Sequence, residues 1–295
     1  MLAIITVIYQ NYTILDDFFA SLKSQYDRDF HVFLVDLTPR KNLQIITIPD
    51  DRFTLIRGEN KGYAHGVNLG IRAATSQEFV GFAVVNPDIV FDTYFTQSCK
   101  HALNQFPGSI VGGKIYYAPG YEYHKKETPK INPPAGGQIP SDSQLSTINY
   151  QLSTNKPFTI WYAGGRIDWA HATSHHVGVD DLDHPMYDQA GLTDIVSGCC
   201  MVYDKSVYEK VGKWDEKYFM YFEDSDYCMR AKKKGVSIRY EPTIKLWHKN
   251  AQSTGGSGSD FHTKAMERSR TRFALKYAPW RTKAHVVINS FTSQK

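Results

Sequence analysis

Three carboxylates stand close together in the segment Phe219 to Gly235, which reads FMYFEDSDYCMRAKKKG. Glu223, Asp224 and Asp226 follow an aromatic run, and four basic residues come after them. This order is typical of a short helix, with acids at its positive amino end and bases at its carboxyl end. Carboxylates beside bulky apolar residues are costly to desolvate, so they favour a bound cation, a substrate or a shared proton. The segment therefore predicts a catalytic carboxylate; a well-capped structural helix is the alternative.

A second candidate for chemistry is Asn86-Pro87-Asp88, which follows the most apolar run of the chain, Phe79 to Val85. That run predicts a central buried strand, and open α/β sheets bind ligands at the carboxyl ends of their strands. A carboxylate held there by proline is a favourable place for a divalent cation and a diphosphate. A simple turn is the alternative. Asp224-Ser225-Asp226 is a rival metal pair by spacing, but it opens a helix and follows no buried strand.

The elements that must position these residues alternate between strands and helices. Apolar, β-branched runs at 2–9 and 31–37 predict buried strands, and the apolar spacing between them predicts a helix capped by Thr13. Strand, helix and strand at this spacing form a βαβ unit. Further strands are predicted at 52–57, 79–85, 109–117, 193–203, 236–240 and 244–247, and a further helix ends at residue 105.

Two features near the predicted strand ends are candidates for ligand contact. Asp36 ends the second strand, where its carboxylate can accept hydrogen bonds from a nucleobase or a ribose. A turn residue before Pro39 is the alternative for Asp36. Gly62, Gly66 and Gly70 recur at every fourth residue and predict a helical face that leaves room for a ligand or a neighbouring strand.

Composition sets the remaining limits. With 295 residues, 42% hydrophobic and 22% charged, the chain predicts one large α/β domain or one domain with a small appendage. The formal charge of +4 is mild, and no strand interleaves basic and aromatic residues, so nucleic-acid binding is not expected. The four cysteines lack metal-ligand spacing, which favours a reduced, cytoplasmic protein. No signal peptide and no membrane-spanning run are predicted.

Two segments stand apart from the alternating pattern. Residues 118–157 are rich in Pro, Gly, Ser and Thr, and we interpret them as a functional flap or as locally disordered. Asp260 to Tyr277 predicts a final amphipathic helix, and we divide the chain into a domain at 1–258 and a helical extension at 259–295. A basic stripe on this helix predicts peripheral contact with the cytoplasmic face of a membrane; a solvated face is the alternative. The stripe consists of Lys264, Arg268, Arg272 and Lys276.

Seven segments in this order resemble family 2 glycosyltransferases with the GT-A fold. They are IITVIYQNY, FLVDL, ENKGYAHGVNLG, VVNPDI, WYAGGRID, SGCCMVYDKSVYEKVGKWDEKYFMYFEDSDYCMRAKKKG and WHKNAQST. The resemblance covers roughly residues 2–258 and is strongest to a bacterial rhamnosyltransferase-like branch. It implies an α/β, nucleotide-sugar-binding fold in which helices flank a mostly parallel central sheet, with a C-terminal helical extension.

The resemblance also implies roles for individual residues. Asp224 matches the catalytic base, with Glu223 beside it, while Asp88 and His248 match ligands of Mg²⁺ or Mn²⁺. The implied nucleotide-sugar-binding residues are Tyr9, Asp36, Asn60, Gly62, Asn86 and Gly198. The implied acceptor-side residues are Trp161, Gly164, Gly165, Asp226 and Trp247. Asn86 departs from the family's Asp-x-Asp motif and removes one negative charge from the metal site.

The expected function is inverting transfer of a sugar from dTDP-rhamnose or a UDP-sugar to a hydroxyl of a glycan or lipid-linked glycan. A nucleotidyltransferase of related fold is one alternative, but it would need a glycine-rich basic loop after the first strand, where this chain has the acidic IYQNYTILDD. A non-catalytic carbohydrate-binding relative is another, and the presence of Asp224 argues against it.

Overall fold

The computed structural model describes residues 1–122, 158–250 and 260–292, so most of the predicted flap at 118–157 lies outside the described residues. The strands in these ranges are β1 Leu2–Ile8, β2 Phe30–Asp36, β3 Phe53–Arg57, β4 Gly81–Val85, β5 Ile89–Phe91, β6 Ile110–Tyr117, β7 Ile160–Tyr162, β8 Gly165–Asp168, β9 Thr173–His176, β10 Gly191–Leu192, β11 Cys200–Tyr203 and β12 Ile238–His248. The helices are α1 Leu15–Lys23, α2 Tyr63–Ala74, α3 Phe95–Gln105, α4 Lys205–Val211, α5 Glu223–Lys233, α6 Asp260–Tyr277 and α7 Trp280–Thr292.

Ten of the described strands form one sheet with the order β10-β12-β6-β11-β4-β1-β2-β3, to which β5 and β7 add through β12 and β6. The β1–β2, β1–β4, β2–β3 and β6–β12 pairs are parallel, and β11 runs antiparallel between β4 and β6. The carboxyl ends of β1, β2, β4, β6 and β12 therefore share one edge, which we call the carboxyl edge. Because β11 is antiparallel, it begins at this same edge. Ligands of open α/β sheets bind there.

Helices cover both faces of the sheet, as the buried runs of β1 and β4 predict. One apolar cluster joins α1 and α3 to the sheet, and a second joins α2, α4 and α5 to the opposite face. Two glycines let α2 lie directly on β1: a Cβ atom would stand 2.6 Å from Val7 at Gly66 and 2.5 Å from Ile5 at Gly70. The predicted room for a neighbouring strand is confirmed at these two glycines.

Three local predictions were wrong. The predicted strand at 193–203 is a strand only over β11, Cys200–Tyr203. Thr13 does not cap α1, because Ile14 is the N-cap and the Thr13 hydroxyl donates to Asn11. The predicted strands at 236–240 and 244–247 are one strand, β12, with an irregularity between Glu241 and Lys245. Pro242 lies at this point, where a residue without an N–H group interrupts the ladder without ending the strand.

The C-terminal part of the described chain contains α6, with the predicted bounds, and α7, which the sequence analysis did not predict. The predicted basic stripe divides in two: Lys264 and Arg268 are exposed, whereas Lys276 pairs with Asp215 and Asp226. The division at residue 258 stays a prediction. None of the helices in the described ranges is long and apolar enough to cross a membrane.

Candidate active site

Asp88 and His248 meet at the carboxyl edge. Asp88 lies between β4 and β5, and the pairing of Ile89 with His248 places it beside the end of β12. His248 Nε2 is 3.2 Å from Asp88 Oδ1, and both side chains are buried. The Trp161 ring packs edge-on against His248, with the ring centroids 4.5 Å apart. Two residues that are distant in the chain are thus adjacent, as expected from the strand ends they occupy.

This pair fits a divalent cation on chemical grounds. A 3.2 Å separation suits a hydrogen bond, and it is also near the roughly 3 Å between neighbouring ligands of an octahedral cation. A carboxylate oxygen suits Mg²⁺ or Mn²⁺, whereas imidazole is a poorer ligand for the oxygen-preferring Mg²⁺. In the described part of the chain, no group of three or more His, Cys, Asp or Glu side chains could hold a metal ion. A cation on Asp88 and His248 would therefore need ligands from substrate phosphates and water.

Asp224 lies in the first turn of α5, and its carboxylate is held from two sides. Oδ2 accepts a hydrogen bond of 2.8 Å from the Gly198 N–H. Oδ1 accepts from the N–H and the hydroxyl of Ser225, at 2.6 and 3.2 Å. Burial raises the pKa of Asp224, and these hydrogen bonds oppose that rise. Gly198 precedes β11, so the structure brings this predicted residue to the candidate base.

Glu223 is the second carboxyl group at this position, and its environment differs from that of Asp224. It is 7% exposed, and Oε2 has no hydrogen-bond partner among the described residues. Burial, then the charge of Asp224, raises the pKa of Glu223 to about 8. Glu223 is therefore mostly protonated at neutral pH. Two adjacent carboxyl groups thus have different roles available to them, one as a proton donor and one as a base.

Replacing Glu223 should change how stability depends on pH. Because its pKa is raised on folding from 4.5 to about 8, the stability it contributes is complete below 4.5 and is lost as pH rises towards 8. Glu223→Gln should reduce this decline, by at most about 5 kcal/mol. Urea unfolding at about pH 5 and about pH 8.5 measures it. The exposed Glu78→Gln is the matched control, and equal pH dependence in both variants would contradict the burial argument.

Tyr63 belongs to the same cluster, although sequence reasoning did not identify it. It is the first residue of α2, and its hydroxyl donates to the Gly198 carbonyl at 3.1 Å. Burial raises its pKa well above the ordinary value, and the charges of Glu223, Asp224 and Asp88 add to this rise. Tyr63 therefore lies near Glu223, Asp224 and Asp88. The only local signal was a glycine followed by an aromatic residue, because Tyr63 and Gly198 are 135 residues apart in the chain.

The residues before the acids adopt an unusual backbone. Tyr221 and Phe222 have φ values of 67° and 63°, so two consecutive non-glycine residues are left-handed. Each costs on the order of 1–2 kcal/mol, and such strain persists only where the surroundings enforce it. The aromatic run before the acids is thus a tight turn into α5. Gly235, with a φ of 71°, lies just after the helix and supplies a left-handed residue there.

Several predicted nucleotide-binding residues lie on loops at the carboxyl edge. Tyr9 is exposed just after β1. Asn86 directly follows β4, and its N–H donates to the Cys199 carbonyl at 3.2 Å. Asn60 accepts a hydrogen bond of 3.1 Å from the N–H of Gly62. Gly62, which has a φ of 104°, lies against Phe219, so the loop before α2 contacts the segment that leads to the acids.

Asp36 lies at the same edge but offers no exposed carboxylate. Its side chain is fully buried, and it accepts hydrogen bonds from the Tyr12 hydroxyl at 3.0 Å and the Thr38 N–H at 2.9 Å. Arg57 also pairs with it. Direct contact between Asp36 and a nucleotide would therefore require Tyr12 or Arg57 to move.

The structure separates the predicted acceptor-side residues. Trp161 contacts His248, whereas Trp247 is buried between Tyr116 and Phe158. Gly164 and Gly165 line a cavity of about 620 Å³ near the start of β12, which is the end opposite His248. Asp226 is fully buried and accepts hydrogen bonds from α5 and α6 side chains. Of this set, only Trp161 contacts a predicted cation ligand.

Two solved structures with this fold are glycosyltransferases. A structure of GalNAc-T7 with UDP, GalNAc and Mn²⁺ superposes with a TM-score of 0.62 at 12% identity, over 94% of this chain and 47% of that chain. The mannosyltransferase PcManGT from Pyrobaculum calidifontis, in complex with GDP-Man and Mn²⁺, gives 0.50 at 13% identity, over 98% and 69%. This chain thus spans about half the length of the GalNAc-T7 chain. The predicted GT-A fold is confirmed.

Two curated proteins are similar in sequence. The N-acetylglucosaminyl-diphospho-decaprenol L-rhamnosyltransferase of Mycobacterium tuberculosis is 27% identical over 86% of this chain and 78% of its own length. The hexosyltransferase Agl10 of low-salt glycan biosynthesis in Haloferax volcanii is 24% identical over 81% of this chain and 64% of its own length. The profile of the family described as "Glycosyltransferase like family 2" matches residues 4–272. The chain therefore belongs to glycosyltransferase family 2 and is an enzyme of sugar transfer.

Proposed function

We propose that this enzyme transfers a sugar, with inversion, from a nucleoside-diphosphate sugar to a hydroxyl of a glycan or lipid-linked glycan. The observation that carries the proposal is the convergence of three elements at the carboxyl edge. Asp88 after β4, His248 at the end of β12 and Asp224 at the start of α5 are brought together there. Burial raises the pKa of Cys199, and the charges of both Asp88 and Asp224 add to this rise, which indicates that both carboxylates lie near Cys199.

The donor diphosphate belongs at Asp88 and His248 in this proposal. These two side chains would hold a divalent cation, which when bound neutralises the charge that develops on the leaving diphosphate. The loop of Asn60 and Gly62 and the exposed Tyr9 would contact the nucleotide beside it. The amino end of α2 favours negative charge at this position.

The acceptor hydroxyl belongs at Asp224. The oxygen of the acceptor hydroxyl forms a bond to the anomeric carbon as the bond from that carbon to the diphosphate oxygen breaks. The diphosphate leaves with the electron pair, and Asp224 takes the hydroxyl proton. A carboxylate with a raised pKa is a better base than an ordinary aspartate, so turnover should increase with pH as Asp224 loses its proton.

The relatives' names guide the choice of substrates. One is a rhamnosyltransferase whose name specifies a diphospho-decaprenol acceptor, and another is a hexosyltransferase. We therefore propose dTDP-rhamnose or a UDP-sugar as the donor class and a lipid-linked glycan as the acceptor class. A nucleotidyltransferase is disfavoured by the family match over residues 4–272.

A panel of nucleotide sugars with Mn²⁺ or Mg²⁺ tests the proposed function. A true donor binds the folded state and should raise the melting temperature more than its analogues do. The same donor should release nucleoside diphosphate slowly, with water as the acceptor. Selective binding without any release would favour the non-catalytic carbohydrate-binding alternative. No binding of any nucleotide sugar would contradict the proposal.

Membrane contact is a further part of the proposal, and it rests on the outward face of α6. Lys264 and Arg268 are exposed on this face beside the exposed Phe261 and Leu275, and Trp280 is exposed at the start of α7. Residues 260–292 contain seven Lys or Arg and two acidic residues. Each basic residue near an anionic lipid surface contributes about 1 kcal/mol, and exposed aromatic rings favour the interface.

Vesicle co-sedimentation tests this contact. The protein should bind anionic vesicles, and binding should weaken with salt and in the double variant Lys264→Glu with Arg268→Glu. Lys23→Glu with Lys205→Glu is the matched control, since it makes the same charge change at exposed positions on α1 and α4. Equal binding by both double variants, or none to anionic vesicles at low salt, would contradict the membrane contact.

A further inference from the structure

Helix α6 packs against the strained turn that leads to the catalytic acids. Three ring contacts join the two segments: Phe219 with Phe261, Tyr221 with His262 and Phe222 with Phe273, at centroid distances of 6.4, 5.0 and 5.2 Å. Phe273 is fully buried, so α6 contributes to the apolar core beneath the turn. The turn is therefore covered along its length by one face of α6.

A hydrogen bond fixes the backbone between these rings. The Ser269 hydroxyl of α6 donates to the Met220 carbonyl at 2.7 Å. Met220 directly precedes Tyr221 and Phe222, the two left-handed residues. An isolated chain relaxes from such φ values, so outside contacts must hold the turn. Ser269 is a buried polar residue placed where it can do so.

Helix α6 also holds the helix that carries the base. The Asp226 carboxylate is fully buried, and its Oδ1 accepts from Lys276 Nζ at 2.6 Å and from the Tyr277 hydroxyl at 2.8 Å. Its Oδ2 accepts from Arg230 of the same helix at 2.8 Å. A buried carboxylate needs such partners, and breaking the set leaves an uncompensated charge. Asp226 thus ties the first turn of α5 to the end of α6.

We propose that α6 is a clamp that positions Asp224, with Ser269, Lys276 and Tyr277 as its positioning residues. None of the three has a hydrogen bond to Asp224 among the described contacts. They act through the turn before Asp224 and through Asp226 after it. Lys276 and Tyr277 lie beyond the stretch 4–272 that matches the family profile. The inference rests on the proposed role of Asp224 as the base.

The clamp should affect turnover more than donor binding. Proton transfer requires the base at hydrogen-bond distance from the acceptor hydroxyl, and a displacement of about 1 Å can lower the rate on the order of a hundredfold. The donor contacts at Asp88 and His248 belong to other elements and should persist. The hydrogen bond of 2.8 Å from the Gly198 N–H to Asp224 reports the position of the base directly.

The test is the double variant Ser269→Ala with Tyr277→Phe, compared with Thr282→Val. Thr282 is a matched control because its hydroxyl makes a similar bond of 2.8 Å, but from α7 to the Trp169 carbonyl and not to the backbone of the turn. The double variant should lower kcat of donor hydrolysis about tenfold or more, with donor KM changed less than about twofold. The Gly198 amide should exchange faster in NMR, while amides of β4 keep their rates.

Three results would overturn the clamp. Unchanged kcat and unchanged Gly198 exchange would show that α6 does not position Asp224. Equal losses in the Thr282→Val control, or faster exchange throughout β4, would show a general contribution to stability instead. If the wild-type protein hydrolyses no donor, the proposed function fails. In that case the amide exchange rate of Gly198 in the double variant still tests whether α6 positions Asp224, because it needs no activity measurement.

Discussion

Asp224→Asn should lower sugar transfer by about a hundredfold or more while leaving donor affinity nearly unchanged. The amide is close in size to the carboxylate but cannot accept a proton from the acceptor hydroxyl. Its NH₂ group also cannot accept the hydrogen bond that the Gly198 N–H gives to Asp224 Oδ2. Initial rates of transfer and calorimetric titration with the nucleoside diphosphate measure the two quantities.

A matched control for this variant is Asp50→Asn. Asp50 pairs with Arg52 just before β3, at the opposite edge of the sheet, so the change removes a paired carboxylate without touching the site. It should transfer sugar at close to the wild-type rate. Wild-type turnover in Asp224→Asn, or the same loss in both variants, would remove Asp224 from the role of base.

Asp88→Ala should abolish the activity that depends on a divalent cation, with a loss of about a hundredfold or more. The buried Asp88 carboxylate is the only anionic side chain that the described contacts place on His248. His248→Ala should weaken cation binding less, because the carboxylate and the donor phosphates remain.

Cation affinity gives this prediction a readout that does not depend on turnover. Electron paramagnetic resonance of Mn²⁺ in the presence of nucleoside diphosphate should show tight binding by the wild type and weak binding by Asp88→Ala. Asp50→Asn again serves as the control. Activity that persists unchanged in excess EDTA would mean that the site works without a cation and that Asp88 contacts the donor by other means.

Much of the fold could be predicted because its elements follow local patterns. Strands β1, β2 and β4 are buried on both faces, and each has the continuous apolar sequence that predicts such burial. Helix α6 has the predicted bounds. The pattern failed where a proline interrupts regular spacing. Pro242 divides the β12 pattern without ending the strand, and Pro279 separates α6 from α7, whose Lys283 N–H bonds to the Pro279 carbonyl.

The position of a candidate-site residue was predictable where that residue begins or ends an element. Asp88 and His248 follow or end strands, so the parallel sheet brings them to one edge. Contacts between distant segments were not readable from the sequence. Tyr63 contacts Gly198, which is 135 residues away in the chain, and Asp36 is covered by Arg57 of the next strand.

Asp226 shows the same limit most clearly. The family resemblance implied a place for Asp226 on the acceptor side. Its neighbours Lys276 and Tyr277 come from the last turn of α6, and no local pattern relates these positions. The sequence shows an acidic cluster, whereas in the structure Asp224 binds the Gly198 N–H, Glu223 has a raised pKa and Asp226 binds Lys276 and Tyr277 of α6.

The anomeric configuration of the first product tests the account most directly. Proton NMR can follow donor hydrolysis in the presence of Mg²⁺, with water as the acceptor, and can identify the sugar anomer before it mutarotates. One base and one displacement, as proposed for Asp224, predict release of nucleoside diphosphate together with a sugar of inverted configuration. A product of retained configuration would contradict the account, because it requires a second displacement that a single base does not provide.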